Sequence, residues 1–175
     1  TFNKIDISGG FEVLLNQGDN EKLEIEADEN LLALIETEVR NNTLYISSKK
    51  SIGNAKSLLI YITTVNIDEI DASGAIELSN KGIYHADDLS IDISGAADID
   101  LDLEVENLTM DMSGASETTL HGTANNFEIG ISGAGDLDAK KLKTRNTSID
   151  ISGAGSAIVY AKKTLKIEVS GAGSV

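Results

Sequence analysis

A Ser-Gly-small corner recurs seven times along the chain: Ser8-Gly9-Gly10, Ser73-Gly74-Ala75, Ser94-Gly95-Ala96, Ser113-Gly114-Ala115, Ser132-Gly133-Ala134, Ser152-Gly153-Ala154 and Ser170-Gly171-Ala172. From Ser73 onward the steps are 21, 19, 19, 20 and 18 residues, and only the first interval, 65 residues, departs from that spacing. A unit of about 19 residues cannot enclose a core of its own, so units of this size fold by stacking, which brings equivalent residues into columns. The surroundings of each corner repeat as well. One residue before the Ser stand Ile7, Ala72, Ile93, Met112, Ile131, Ile151 and Val169, and three before it Ile5, Ile70, Ile91, Met110, Ile129, Ile149 and Ile167. Between them lie Asp6, Asp71, Asp92, Asp111, Gly130, Asp150 and Glu168. Apolar, polar, apolar is the period-two pattern of a half-buried strand. After the corner, pairs such as Ile99 and Leu101, Leu137 and Ala139, or Ala157 and Val159 make a second short alternating strand.

These patterns predict an all-β fold: a right-handed parallel β-helix, or solenoid, of short coils of about 19–20 residues, forming a single domain over residues 1–175. Gly after each Ser suits a corner that needs positive φ or close backbone approach, and the small residue after it leaves room for the next coil. The absence of Pro fits a chain made largely of ladder strands. The long first interval reads as a small α/β insertion over 19–66. Lys22 to Ala27 alternates as a strand, Asp28 or Asn30 is placed to cap a short helix through Leu31, Leu32, Leu34 and Ile35, and Thr43 to Ser47 and Leu58 to Thr64 read as strands around a Lys49–Ser57 loop. Because an open end of a stacked sheet exposes unpaired backbone groups, this insertion is expected to pack on or cap the N-terminal coils. At the other end Ser174-Val175 follow directly on a corner. The expectation there is either further chain or self-association through the C-terminal coil.

The opening from Phe2 through Gly18, the Glu26-Ala27-Asp28-Glu29-Asn30-Leu31-Leu32 stretch, Ile35-Glu36-Thr37-Glu38-Val39 and the run of Ile-Ser-Gly-Ala-Gly units together resemble the head GIN domain of the putative auto-transporter adhesin family. The resemblance spans essentially the whole chain. It implies a β-helical domain in exported bacterial envelope proteins, in the periplasm, at the outer membrane or on the cell surface, and it carries over no catalytic or ligand residues. A chain that begins at Thr1 is expected to have been processed or trimmed.

Charge narrows the partners. With 14 Lys plus Arg against 29 Asp plus Glu the net charge is −15, which argues against nucleic acid and against an anionic membrane surface. No apolar run reaches the roughly 20 residues of a membrane-spanning helix. The absence of Cys removes disulfides, thiolate chemistry and Cys-ligated zinc.

Much of the acid excess sits at fixed offsets from the corners. Besides the residues two before each Ser, Glu12, Glu77, Asp98, Glu117 and Asp136 stand four after it. Stacked carboxylates repel, and hard oxygen ligands favour Ca²⁺, so Asp92, Asp111, Asp150, Asp98 and Asp136 are candidate cation ligands. Outward-facing solvation that discourages strand-edge aggregation is the preferred account, since calcium β-roll repeats recur every nine residues and here such a string appears once per coil. As glycosidase carboxylates, Asp92 with Asp111 or Asp98 with Asp100 are the first pairs to consider. Arg40 and Arg145 are the only arginines, and no His recurs beside a corner serine, so an enzyme is not expected. His85 and His121 fall at unrelated offsets and read as loop histidines, and Tyr45, Tyr61, Tyr84 and Tyr160 form no stripe. Lys140, Lys141, Lys143 and Arg145 form the one basic cluster, which either balances nearby carboxylates or docks an acidic partner.

The reading from sequence is a non-catalytic envelope module, adhesin-like or a spacer, that displays an ordered acidic face to an unknown surface glycan or protein. A Ca²⁺-stabilised purely structural module and a β-helix carbohydrate-active enzyme are the alternatives.

Overall fold

The alternation around each corner becomes strand in every repeat. The computed structural model describes residues 1–49 and 58–175. In chain order these form β1 (Lys4–Gln17), β2 (Lys22–Glu26), the single helical turn α1 (Glu29–Leu32), β3 (Ile35–Arg40), β4 (Thr43–Ser48), β5 (Leu59–Thr64), β6 (Glu69–Asn80), β7 (Tyr84–Gly133), β8 (Asp136–Gly153) and β9 (Ser156–Gly171). The fold is all-β. One sheet runs in the order β2-β5-β1-β6-β7-β8-β9, with β4 bonded to β1 and β3 to β4.

From β1 through β9 the pairing along this path is parallel, and it aligns the repeats with one another. Ile5 pairs with Ile70 and Ser8 with Ser73; Ile70 pairs with Ile91 and Ser73 with Ser94. Ile129 pairs with Ile149, and Ile149 with Ile167. The two apolar columns so produced are the core: Ile5, Ile70, Ile91, Met110, Ile129 and Ile149 are buried, as are Ile7, Ala72, Ile93, Met112, Ile131 and Ile151. Serine hydroxyls add cross-links between repeats, as where Ser113 Oγ donates to the Ile93 carbonyl at 3.2 Å.

The corner glycines are held by both of the constraints that exclude a side chain. Gly95 has φ +113°, and a Cβ there would lie 2.5 Å from the Gly74 carbonyl oxygen; Gly114 repeats the arrangement against Gly95 at 2.3 Å with φ +114°. Backbone thus packs directly on backbone at the corner, and this contact sets the register of the whole stack.

Three expectations need correction. First, the sheet is mixed rather than purely parallel, because β2 pairs antiparallel with β5 and β3 antiparallel with β4; β7 also runs unbroken for 50 residues, through the corners at Ser94 and Ser113 to the one at Ser132. Second, the helix does not extend through Leu34 and Ile35. Ile35 opens β3, and the Leu34 carbonyl accepts from Lys49 N at 2.9 Å, one step beyond the Ile35–Ser48 pair. That carbonyl is committed to a hairpin whose turn, Asn41-Asn42, has φ of 50° and 62°, as a type I′ turn requires. Asp28 takes the N-cap position but makes no side-chain cap bond. Third, His85 and His121 lie within strand β7 and not in loops. The expected Lys49–Ser57 loop lies, except for Lys49, outside the described residues.

The two ends of the stack differ. Beside β6, β1 bonds β4 along Lys4–Ser8 and β5 along Glu12–Gln17, so its edge away from β6 is occupied. At the opposite end Leu165, Ile167 and Val169 are 47%, 44% and 43% exposed, although their column neighbours Ile149 and Ile151 are fully buried.

Candidate functional site

Two before the corner serine, Asp6 pairs with Asp71 and Asp71 with Asp92, and Asp71, Asp92 and Asp111 border one shallow depression. Gly130 interrupts the row, since the Asp111 carboxylate leans to within 2.3 Å of where a Gly130 Cβ would sit. Asp150 lies beyond this break, paired with Gly130 and Glu168. Asp98 and Asp136 belong to the row on the other side of the corner, where Glu77 pairs with Asp98, Glu117 with Asp136, and Asp136 with Ser156, whose hydroxyl donates to it. The five candidate cation ligands therefore fall into two rows and do not converge on one point. Among the described residues, no three or more His, Cys, Asp or Glu side chains are arranged to hold a metal ion. Asp98 and Asp100 are both exposed on β7, with Asp100 Oδ1 3.5 Å from His121 Nε2.

Partial burial, and then the carboxylates of Glu69, Asp92 and Asp6, push the Asp71 carboxyl above its ordinary pKa against the pull of Lys4. Burial, followed by Asp111 and Glu69, does the same to Asp92. A carboxyl whose pKa is raised by folding binds protons more tightly in the native state, so its contribution to stability grows as pH falls from neutral through the folded pKa and levels off below the unfolded value of about 3.9. Asp92→Asn removes the charge at near-constant shape. With like charges worth about 1 kcal/mol at 4 Å in water, the variant is expected to melt about 2–4 °C above the parent at pH 7. That advantage should vanish in melts below about pH 4, where Asp92 is itself protonated. An advantage independent of pH would show that charge is not its source.

A larger concavity than this depression lies on another face. An open groove of about 1020 Å³ crosses successive repeats, with Ala86, Val105, Ala124 and Thr144 along its floor. Its walls change sign along their length. One runs Glu104, Thr123, Lys143 and the other Glu106, Asn125, Arg145, with Asp87 and His85 beside the acidic end and Lys162 and Lys163 beside the basic end. Pairing of Thr123 with Lys143 and of Ala124 with Thr144 places these residues level with one another. Register shifts between Ala139 and Lys143 and between Thr144 and Asn146 fall at the basic end. At the acidic end Asn125 Nδ2 donates to Glu106, and His85 Nδ1 is 3.5 Å from Glu104 Oε2.

The basic cluster seen in the sequence is divided by the fold. Lys140 turns back on Asp138 and holds that carboxyl below the usual range. Lys141 pairs in register with His121 outside the groove. Lys143 and Arg145 enter the groove and are joined there by Lys162 and Lys163. All four are exposed, and none has an ion-pair partner among the described residues.

Beside the groove runs a ladder that sequence reasoning missed. Asn146 Nδ2 donates to Asn126 Oδ1 at 2.9 Å, Asn126 Nδ2 to Asn107 Oδ1 at 2.7 Å, and Asn107 Nδ2 to Asp88 Oδ1 at 2.7 Å. The signal was present: each of these four residues stands six before a corner serine.

A family model described as "Putative auto-transporter adhesin, head GIN domain" matches residues 1–175. The chain belongs to this family. Solved structures with the head GIN fold include a putative adhesin from Bacteroides fragilis, 22% identical with a TM-score of 0.84, the match covering 99% of this chain and 90% of that one. A putative lipid binding protein from Parabacteroides distasonis is 17% identical with a TM-score of 0.72, covering 99% and 92%. A putative adhesin from Parabacteroides merdae is 18% identical with a TM-score of 0.63, also covering 99% and 92%. At these identities the likeness is one of fold. The comparison with curated proteins finds no match. Among the described residues of this head GIN chain, no helix is long and apolar enough to cross a membrane.

Proposed function

We propose that the chain is a non-catalytic binding module of the bacterial cell envelope, wound as a right-handed parallel β-helix with residues 19–66 capping its N-terminal coils, and that the groove is its binding surface. The observation that carries this reading is the placement of Lys143, Arg145, Lys162 and Lys163. In a chain of net charge −15, four exposed cations without ion-pair partners among the described residues gather at one end of this groove. Strands spaced ~4.8 Å apart put the acidic and basic ends of the walls about 10–15 Å from each other. A surface polymer carrying anionic groups, with cationic groups at that separation, meets complementary charge along its length. Affinity would come from several weak contacts on a rigid face. Membership of a family named for adhesins supports a surface partner.

Arrays of acidic and zwitterionic glycans and peptides test this. Binding should weaken as salt is added, and the double variant K143E/R145E should lose roughly tenfold or more in affinity, about 1.4 kcal/mol. Arrays that capture nothing, or a variant that binds as the parent does, would overturn the assignment of the groove. A cation-stabilised structural module is the second reading, favoured by the raised carboxyls of Asp71 and Asp92. It requires a higher melting temperature in millimolar Ca²⁺ than in EDTA at matched ionic strength, and equal melts would eliminate it.

A further inference from the structure

Among the described residues β9 bonds only one strand, β8, from Asp136–Ser156 through Gly153–Gly171. The residues after β9 bond back at Gly153, Gly155 and Ala157: Ala172 N donates to Gly153 O at 2.8 Å, Ser174 N to Gly155 O at 3.1 Å, and Ser174 O accepts from Ala157 N at 2.9 Å. From Leu165 to Val169 the outer edge of β9 thus has no backbone partner among the described residues, and it lies beside three exposed apolar side chains, Leu165, Ile167 and Val169. An edge of this kind is a template for another strand.

We infer that this edge pairs antiparallel with the same edge of a second copy of the chain, across a two-fold axis at Ile167. The segment Leu165-Lys166-Ile167-Glu168-Val169 is self-complementary about its centre. In that register Ile167 faces Ile167 of the second copy, Leu165 faces Val169, and Lys166 faces Glu168, so apolar meets apolar on the core side and opposite charges meet on the outer side. Neighbouring registers lose this match. A dyad at Leu165 sets Lys163 against Ile167, a dyad at Val169 sets Ile167 against Gly171, and any one-residue slip turns the apolar face outward. Head-to-tail pairing of β9 on β1 is closed off as well, because that edge is occupied by β4 and β5. The isologous pair that this self-complementary segment makes closes at two copies. Each apolar column would then run without interruption from one copy into the other.

The chain contains no Cys, so single cysteines report the register directly. Opposed Cα atoms in an antiparallel pair are about 4.5–5.5 Å apart, inside the roughly 4.4–6.8 Å range of a disulfide. Ile167→Cys should therefore oxidise to a covalent dimer. Leu165→Cys should not, because two copies of residue 165 would lie four residues apart along the strands, about 13 Å. Sedimentation equilibrium of the unmodified chain should give twice the chain mass, and Ile167→Lys, which opposes two cations at the dyad, should give the single-chain mass with an unchanged strand signal in circular dichroism. A monomeric parent, as expected if another segment or a different protein covers this edge, would overturn the inference. So would cross-linking of Leu165→Cys as fast as Ile167→Cys, which would mean a different register.

Discussion

Gly114→Ala should destabilise the fold by about 3 kcal/mol or more, for two reasons that three glycines allow to be separated. At Gly114 a Cβ would stand 2.3 Å from the Gly95 carbonyl oxygen and 2.9 Å from its nitrogen, and φ is +114°. The atoms in the way are backbone, held by the ladder on both sides, so neither can move without breaking register with its neighbours. Gly82 has φ +74°, but nothing lies within 4 Å of the place its Cβ would take, so Gly82→Ala should show the conformational penalty alone, about 1 kcal/mol. At Gly10 the nearest atom is the Ala75 oxygen at 4.0 Å, and the residue pairs in register with that alanine. Gly10→Ala should be neutral or slightly stabilising, because it restricts the unfolded chain. Chemical denaturation of the three variants should rank them in this order. Equal effects would mean that the corner is not a backbone-on-backbone contact.

Phe127→Ala should cost about 3–5 kcal/mol, roughly 6–20 °C in melting temperature. Phe127 is 2% exposed. It stands five residues before the corner serine, where other repeats carry Leu89, Leu108, Thr147 and Leu165, and it pairs in register with Thr147. The Thr147 hydroxyl is engaged with that of Thr144 at 2.6 Å, and Thr144 donates onward to the Tyr160 carbonyl at 2.7 Å, so this small polar pair is not free to fill a void beside it. Truncation leaves a cavity that rigid strands on either side prevent from closing. Phe127→Leu restores the residue that three other repeats use and should lose only about 1 kcal/mol. If the alanine variant melts with the leucine variant, the ring is not part of the core.

The corners are legible in the sequence because one physical constraint acts at every one of them after the first. Where backbone meets backbone only Gly fits, and with register set there, the alternating Ile positions must follow. Leu34 and Ile35 mislead for the opposite reason: their helical spacing is real, but a hairpin that returns through Asn41-Asn42 claims their backbone groups, and no local pattern outweighs that pairing. The histidines read as loop residues because β7 continues as strand through segments whose composition varies from repeat to repeat. The groove is half visible. Lys143 and Arg145 stand out as neighbours in sequence, whereas Lys162 and Lys163 reach them only across an irregular register, and the acidic walls belong to other repeats. Properties that arise between repeats are legible only when every repeat contributes at the same offset, as the asparagine ladder does.

The fixed corner and the irregular groove lie on different parts of the same repeat, and this separates what sets the register from what shapes the groove. Residues inserted or lost between Ala139 and Asn146 shift the groove walls while the glycine contacts of the neighbouring corners, Gly133 and Gly153, remain as they are. Length and charge on that side can therefore change without disturbing the corner contacts. The domain is in effect a chassis with one interchangeable panel.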